Sequence, residues 1–180
     1  MKRAVFLDRD GVLNRNILRG GRTYAPTTLA EFEILPGVSE AVRTIHNAGF
    51  LAIVATNQPD VATGVQSLET IAKMHEFLSE SMPLDSIKVC YHIDWDDCQC
   101  RKPKPGMLLD AARAHDIELR QSYMVGDRWR DIAAGQAAGC MTIFVDHGYD
   151  EPRPENPDAV VTDLPQAVEW ILCREKERRL

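Results

Sequence analysis

The stretch Ala-Val-Phe-Leu-Asp-Arg-Asp-Gly, residues 4–11, decides the fold class of this chain. Its four leading apolar residues do not alternate with polar ones, which is typical of a β-strand covered on both faces. The run stops at Asp8, Asp10 follows two positions later, and Gly11 allows the backbone to turn. Other apolar runs of the sequence also end at a polar residue. The same pattern, a buried strand followed by a polar side chain, is therefore predicted at several places along the chain.

The order of apolar runs and helical patterns predicts a doubly wound α/β fold. Five further runs predict strands at residues 51–55, 87–91, 123–125, 142–145 and 159–161. Apolar residues three and four apart predict helices within residues 36–49, 67–82, 105–115, 130–138 and 165–178. Strands that alternate with helices form a parallel sheet with right-handed crossovers. We expect one domain over residues 1–180 without a large cap domain, in which residues 15–30 form a loop over the end of the first strand.

Composition excludes several classes of protein. Hydrophobic residues make up 44% and charged residues 27% of the 180 residues, as is typical of a globular protein. The formal net charge of −6 disfavours nonspecific nucleic-acid binding, which requires neutralisation of phosphates. No run approaches the ~20 apolar residues that span a bilayer, and the N-terminus is unlike a signal peptide. We expect a cytoplasmic monomer with no nucleic-acid or membrane partner.

Polar side chains at the ends of three predicted strands point to one site. Asp8 and Asp10 follow the first strand, Thr56 and Asn57 follow the second, and Asp127 follows the fourth. Ligands of open α/β sheets bind beyond the carboxyl ends of the strands, so these residues are expected in one crevice. A lone Asp-x-Asp pair is common in surface turns. A pair that follows a buried strand and is matched at other strand ends predicts catalysis.

These residues resemble, in order and placement, the four motifs of the haloacid dehalogenase superfamily of phosphatases. The matching residues are Asp8 to Val12, Thr56-Asn57, Lys102, and Gly126-Asp127 with Asp131 four positions later. The resemblance implies that Asp8 attacks phosphorus and becomes an aspartyl phosphate, and that Asp10 is the general acid and base. It also implies Mg²⁺ held by Asp8, the backbone carbonyl of Asp10, and Asp127.

The chemistry of such a reaction explains these residue types. A carboxylate and a phosphate dianion repel each other, and Mg²⁺ relieves that repulsion through hard oxygen ligands. Lys102 adds a positive charge, and Thr56 can hold phosphate oxygens. Asp10 must be protonated in the first step, and we expect a nearby carboxylate to raise its pKa. Asp131 is either a supporting residue of the site or ordinary helix surface.

A cysteine–histidine cluster within residues 90–100 predicts a second metal. Cys90, His92, Cys98 and Cys100 form a Cys-x-His-x5-Cys-x-Cys pattern. Three thiolates and one imidazole suit a tetrahedral Zn²⁺, and four protein ligands leave no open position, which indicates a structural role. The alternative is a disulfide, for example between Cys90 and Cys98, which a reducing compartment disfavours.

The cluster narrows the resemblance to one branch of the superfamily. Cys-x-His and Cys-x-Cys, followed by Arg-Lys-Pro after Thr-Asn-Gln, are similar to the branch that holds the heptose-bisphosphate and histidinol-phosphate phosphatases. The resemblance implies hydrolysis of the 7-phosphate of D-glycero-D-manno-heptose 1,7-bisphosphate, a step towards nucleotide-activated heptose for lipopolysaccharide. It implies substrate contacts by Thr56, Asn57, Gln58, Arg101, Lys102 and Arg128.

Two other functions remain open at this point. The spacing of the cysteine–histidine loop is closer to the histidinol-phosphate phosphatases, whose substrate carries an amine. A binding module of the same fold that lacks catalysis is a more distant alternative, which the intact pair of Asp8 and Asp10 disfavours. We expect the segment 15–30, with Arg15, Arg19 and Arg22, to set specificity.

Overall fold

A central parallel sheet of six strands organises the computed structural model, which describes residues 1–20 and 22–178. The strand order is β5-β4-β1-β6-β7-β8, and every neighbouring pair is parallel. A separate pair, β2 and β3, is antiparallel. The strands are Arg3–Leu7 (β1), Ile17–Arg19 (β2), Arg22–Tyr24 (β3), Phe50–Asn57 (β4), Ser86–Cys90 (β5), Tyr123–Gly126 (β6), Met141–Val145 (β7) and Ala159–Val161 (β8).

Five α-helices within the described residues cover the two faces of this sheet, which confirms the predicted α/β class. They are Val38–Asn47 (α1), Leu68–Ser81 (α2), Gly106–His115 (α3), Trp129–Ala138 (α4) and Leu164–Glu177 (α5). Helices α1, α2 and α5 pack on one face, and α3 and α4 pack on the other. None of the helices in the described part of the chain is long and apolar enough to cross a membrane.

Burial of both faces of β1 explains the unbroken apolar run at residues 4–7. Val5 and Leu7 of β1 enter the core cluster beneath α1, α2 and α5. Ala4 and Phe6 enter the second cluster, beside α3. Successive side chains of a strand point to opposite faces, so a strand with helices on both sides is apolar at every position.

Residues 15–30, which were predicted to form a loop over the end of the first strand, contain a β-hairpin. The prediction that they lack regular structure was therefore wrong. Ile17 pairs with Tyr24, and Arg19 pairs with Arg22, across the antiparallel strands β2 and β3. Each strand has three residues and is largely exposed, so no alternating apolar pattern marks it in the sequence. Among the described residues, the sheet carries no large cap domain.

The packing of α1 generates a stability prediction. Ile45 is buried between α1 and the sheet, so Ile45→Ala should lower the free energy of unfolding by about 2–5 kcal/mol through lost burial and a cavity. Urea denaturation followed by circular dichroism measures this loss. Arg43→Ala, on the exposed side of the same helix, should change it by less than about 0.5 kcal/mol. Equal losses in both variants would contradict this packing.

Candidate active site

The carboxyl ends of β1, β4 and β6 meet at one cleft, as the sequence predicts. The cleft has a volume of about 280 Å³ and opens beside the hairpin. Thr56 is the exception among the expected residues, since it is buried beneath the cleft and does not line it. The predicted site residues that line the cleft are Asp8, Asp10, Asn57, Gln58, Arg101, Lys102, Asp127, Arg128 and Asp131.

Lys102 lies at the base of the cleft between two carboxylates. Its Nζ is 2.8 Å from Oδ1 of Asp8 and 2.5 Å from Oδ1 of Asp131, and it donates to the carbonyl of Ala55. Burial opposes the charge of Lys102, but the two carboxylates outweigh burial and raise its pKa. Lys102 is therefore a cation at neutral pH.

Asp131 belongs to this charged cluster and is not ordinary helix surface. Its side chain is 2% exposed. One carboxylate oxygen contacts Lys102, and the other accepts a hydrogen bond of 2.9 Å from the backbone N–H of Arg128. Both oxygens thus have protein partners. The burial of Asp131 and these two contacts favour a supporting role in the site over a place on the helix surface.

Asp8 and Asp127 carry more negative charge than the protein around them balances. Burial, and then the charge of Asp131, raise the pKa of Asp8 to about 6. Burial, and then the charges of Asp8 and Asp131, raise the pKa of Asp127 well above its ordinary value. The two raised pKa values mean that an additional positive charge would stabilise both carboxylates in their ionised form.

The donor set of this cluster fits a divalent cation. Oxygens of Asp8, Asp127 and Asp131 lie within 4.8 Å of one another. Oδ1 of Asp127 is buried, and no donor among the described residues reaches it. Buried polar atoms normally have partners, and carboxylate oxygens are ligands that Mg²⁺ prefers. Because both oxygens of Asp131 are already bonded, Asp8 and Asp127 are the better ligands.

Asp10 differs from the expectation that a neighbouring carboxylate raises its pKa. Its carboxylate accepts hydrogen bonds from the guanidinium of Arg9 at 2.8 Å, from Asn14 at 2.9 Å and from Gln58 at 2.7 Å. Burial opposes the charge, but Arg9 and these donors outweigh burial and lower the pKa of Asp10. The expectation was wrong because it did not include the buried Arg9 side chain, which turns back onto Asp10.

Asn57 and Gln58 bond to other site residues. The amide nitrogen of Gln58 donates to Asp10 and, at 2.9 Å, to the hydroxyl of Thr56. The side chain of Asn57 donates to the backbone carbonyl of Lys102 and accepts from its N–H, each at 3.1 Å. These residues therefore hold Asp10 and Lys102 in position, and their contact with a substrate stays a prediction.

Asn16 and Gly11 lie against the carboxylate of Asp127, and the sequence did not indicate this role for either. Asn16 donates to Oδ2 of Asp127 at 3.0 Å and to the hydroxyl of Tyr149 at 3.2 Å. A Cβ on Gly11 would lie 1.9 Å from Oδ2 of Asp127 and 2.7 Å from the amide nitrogen of Asn16. Gly11 is thus required for close approach as well as for its φ of +85°. No local pattern marks Asn16.

The cysteine–histidine cluster has the dimensions of a tetrahedral metal site. The Sγ of Cys100 is 3.2 Å from that of Cys90 and 3.5 Å from that of Cys98, and 3.3 Å from Nδ1 of His92. Ligands at about 2.3 Å from a zinc ion stand roughly 3.7 Å apart. The Sγ atoms of Cys90 and Cys98 are 3.7 Å apart, whereas a disulfide requires about 2.05 Å. The disulfide alternative is therefore wrong.

Arg101 and Arg128 are held at the cleft by carboxylates from outside the sheet. Arg101 is 2.6 Å from Asp94 in the cysteine–histidine loop, and it also donates to the carbonyl of His92. Arg128 contacts the carboxylate of Glu151 and donates to the hydroxyl of Thr23 in the hairpin at 2.5 Å. Both guanidinium groups are thus fixed where an anion could bind.

Comparison with known proteins gives one consistent result. A HAD-hydrolase-like family model matches residues 99–167. D-glycero-D-manno-heptose-1,7-bisphosphate 7-phosphatase from Thermosynechococcus vestitus is 34% identical, covering 93% of this chain and 94% of its own. D-glycero-beta-D-manno-heptose-1,7-bisphosphate 7-phosphatase from Pasteurella multocida is 36% identical, covering 95% and 99%.

A solved structure agrees with these relatives. The crystal structure of D,D-heptose 1,7-bisphosphate phosphatase from B. bronchiseptica, complexed with magnesium and phosphate, matches with a TM-score of 0.80 and 31% identity. It covers 96% of this chain and 99% of its own. Since such identity extends over nearly the full length of both partners, this chain belongs to the heptose-1,7-bisphosphate 7-phosphatase family of the HAD-like phosphoric monoester hydrolases.

Proposed function

We propose that this protein removes the 7-phosphate of D-glycero-D-manno-heptose 1,7-bisphosphate. The observation that carries the proposal is the contact between Asp8 and Lys102 in a buried carboxylate cluster at the sheet edge. A carboxylate nucleophile for phosphorus needs adjacent positive charge, and this cluster supplies it. The substrate follows from relatives of that name that match nearly the whole chain.

Asp8 and Asp10 perform the two steps of the reaction. The carboxylate of Asp8 attacks the phosphorus of the 7-phosphate, and the bond between phosphorus and the sugar C7 oxygen breaks. Asp10 gives that oxygen a proton. In the second step Asp10 accepts a proton from water, whose oxygen attacks the phosphorus of the aspartyl phosphate. Inorganic phosphate leaves and the Asp8 carboxylate is restored.

Arg9, Asn14 and Gln58 prepare Asp10 for its second role. Their hydrogen bonds stabilise the ionised carboxylate, which is the form that accepts a proton from water. For the first step Asp10 must carry a proton, so its side chain must give up part of these bonds when substrate is bound. Gln58 also donates to the hydroxyl of Thr56, which anchors its amide group to the end of β4.

A magnesium ion would be held by Asp8, the backbone carbonyl of Asp10, and Asp127. Oδ1 of Asp127, which no donor in the described part of the chain reaches, and the raised pKa of Asp8 support this ligand set. When bound, the ion neutralises carboxylate charge and polarises the phosphate oxygens. Asn16 orients Asp127 through its other oxygen.

The cysteine–histidine cluster would hold a structural zinc ion with Cys90, His92, Cys98 and Cys100 as ligands. The close packing of three Sγ atoms around an imidazole nitrogen supports this assignment. The loop leads directly into Arg101 and Lys102, so metal binding would fix both cations of the cleft. We propose that Arg101, Lys102 and Arg128 contact the substrate, whereas Thr56, Asn57 and Gln58 position the catalytic groups.

A direct assay separates the two candidate substrates. We expect magnesium-dependent release of phosphate from heptose 1,7-bisphosphate with a kcat/KM well above that for histidinol phosphate. The basic groups of the cleft suit a second phosphate better than an amine. A higher kcat/KM for histidinol phosphate would overturn the substrate assignment, and release from neither would favour a binding module.

The nucleophile is tested by Asp8→Asn. Loss of the attacking carboxylate should reduce kcat on the order of 10⁴-fold or more in a steady-state phosphate-release assay. Asp116→Asn is the matched control, because it makes the same change of charge at an exposed residue at the end of α3. Turnover of Asp8→Asn at the control rate would assign the nucleophile elsewhere.

Gly11→Ala tests the close approach to Asp127. The added Cβ must displace Asp127 and Asn16, so activity should fall about 100-fold or more through misplacement of the site. Gly49→Ala introduces the same strain at a φ of +83° but meets no atom within 4 Å. Both variants should lose thermal stability, and only Gly11→Ala should lose activity. Equal activity in the two would show that this approach is not needed.

The zinc assignment is tested by metal analysis. The purified protein should contain one zinc ion per chain by plasma mass spectrometry, and Cys100→Ser should lose it together with thermal stability. Cys173→Ser is the matched control, since Cys173 is exposed on α5 away from the cluster. Full zinc content in Cys100→Ser would contradict the ligand set.

A further inference from the structure

We propose that Arg130 and Arg101 form a pair that binds the phosphate group kept on the sugar after hydrolysis. The inference rests on the proposed function, because a bisphosphate substrate retains one phosphate. Arg130 is not among the residues that the sequence analysis assigned to the site. Both arginines line the same cleft as Asp8 and Lys102.

One carboxylate holds the two guanidinium groups side by side. Oδ1 of Asp94 is 2.6 Å from Nε of Arg101 and 2.9 Å from a terminal nitrogen of Arg130, whose other terminal nitrogen is 3.3 Å from Oδ2. Asp94 belongs to the cysteine–histidine loop, whereas Arg130 belongs to α4. The contact therefore fixes two long side chains before any ligand binds, which lowers the entropic cost of binding.

The balance of charge distinguishes this pair from the other cations of the cleft. Lys102 faces two carboxylates, those of Asp8 and Asp131. Arg128 likewise faces two, those of Asp127 and Glu151. The two arginines that share Asp94 carry more positive charge than the carboxylate that they contact. An anion brought into the cleft is attracted most strongly where positive charge is least compensated.

The position of Arg130 in its helix supports a role in binding. Arg130 is the second residue of α4, and a helix N-terminus disfavours a cation. A bound phosphate would be stabilised both by the helix end and by the guanidinium group. The planar guanidinium can donate two parallel hydrogen bonds to phosphate oxygens, and Arg130 remains 34% exposed and able to do so.

Binding measurements on an inactive background test the pair without requiring turnover. Asp8→Asn protein in magnesium buffer is titrated by calorimetry with heptose 1,7-bisphosphate and with heptose 7-phosphate. Adding Arg130→Ala should reduce the preference for the bisphosphate roughly 10- to 100-fold, as expected for a lost charge-assisted hydrogen-bond pair. Arg130→Lys, which keeps the charge without the fork, should reduce it less.

A second arginine variant on the same inactive background is the control. Arg113→Ala removes an exposed arginine of α3 that is paired with Asp110, and it should leave the preference as it is. An equal loss of affinity for both ligands in Arg130→Ala would indicate a structural role and overturn the inference, as would an unchanged preference. Hydrolysis of the bisphosphate by the unmodified protein tests the proposed function separately, so either can fail while the other stands.

Discussion

The rest of the structure depends on the buried ammonium group of Lys102. A lysine charge that is 2% exposed is strongly disfavoured unless it is paired and hydrogen-bonded. Asp8, Asp131 and the carbonyl of Ala55 provide those partners, and they come from the end of β1, from α4 and from β4. Burying one cation thus ties three elements of the fold to the end of the cysteine–histidine loop.

The same interaction determines the electrostatics of the cleft. Asp8, Asp127 and Asp131 lie close enough to repel one another, and Lys102 balances only part of their charge. Burial, together with the uncompensated negative charge, raises the pKa values of Asp8 and Asp127, so the base of the cleft favours a further cation. The arginines that line the same cleft favour an anion. A site that attracts both a divalent cation and a phosphate is suited to hydrolysis of a phosphate ester.

Two short segments, the cysteine–histidine loop and the hairpin, border the cleft at the end of the sheet. The cysteine–histidine loop brings Asp94 against Arg101, and the hairpin brings Thr23 against Arg128. Among the described residues, neither segment forms a hydrophobic cluster of its own. The side chains of Cys90, His92, Cys98 and Cys100 contact one another within the loop. The hairpin contacts Arg128 at the cleft that it borders. The rim of the cleft is therefore built partly by polar contacts between segments that lie outside the central sheet.

The sequence by itself determined the order of the helices and of the strands of the central sheet. It also placed Asp8 and Asp127 at strand ends and brought the four residues of the cysteine–histidine cluster together. These features are local, because apolar periodicity and residue spacing act over a few positions. Only the tertiary structure decided that residues 17–19 pair with residues 22–24, that Asn57 holds Lys102, and that Arg9 lowers the pKa of Asp10. Each of these depends on where a side chain points and on neighbours from distant parts of the chain. Such neighbours meet only when the sheet has formed.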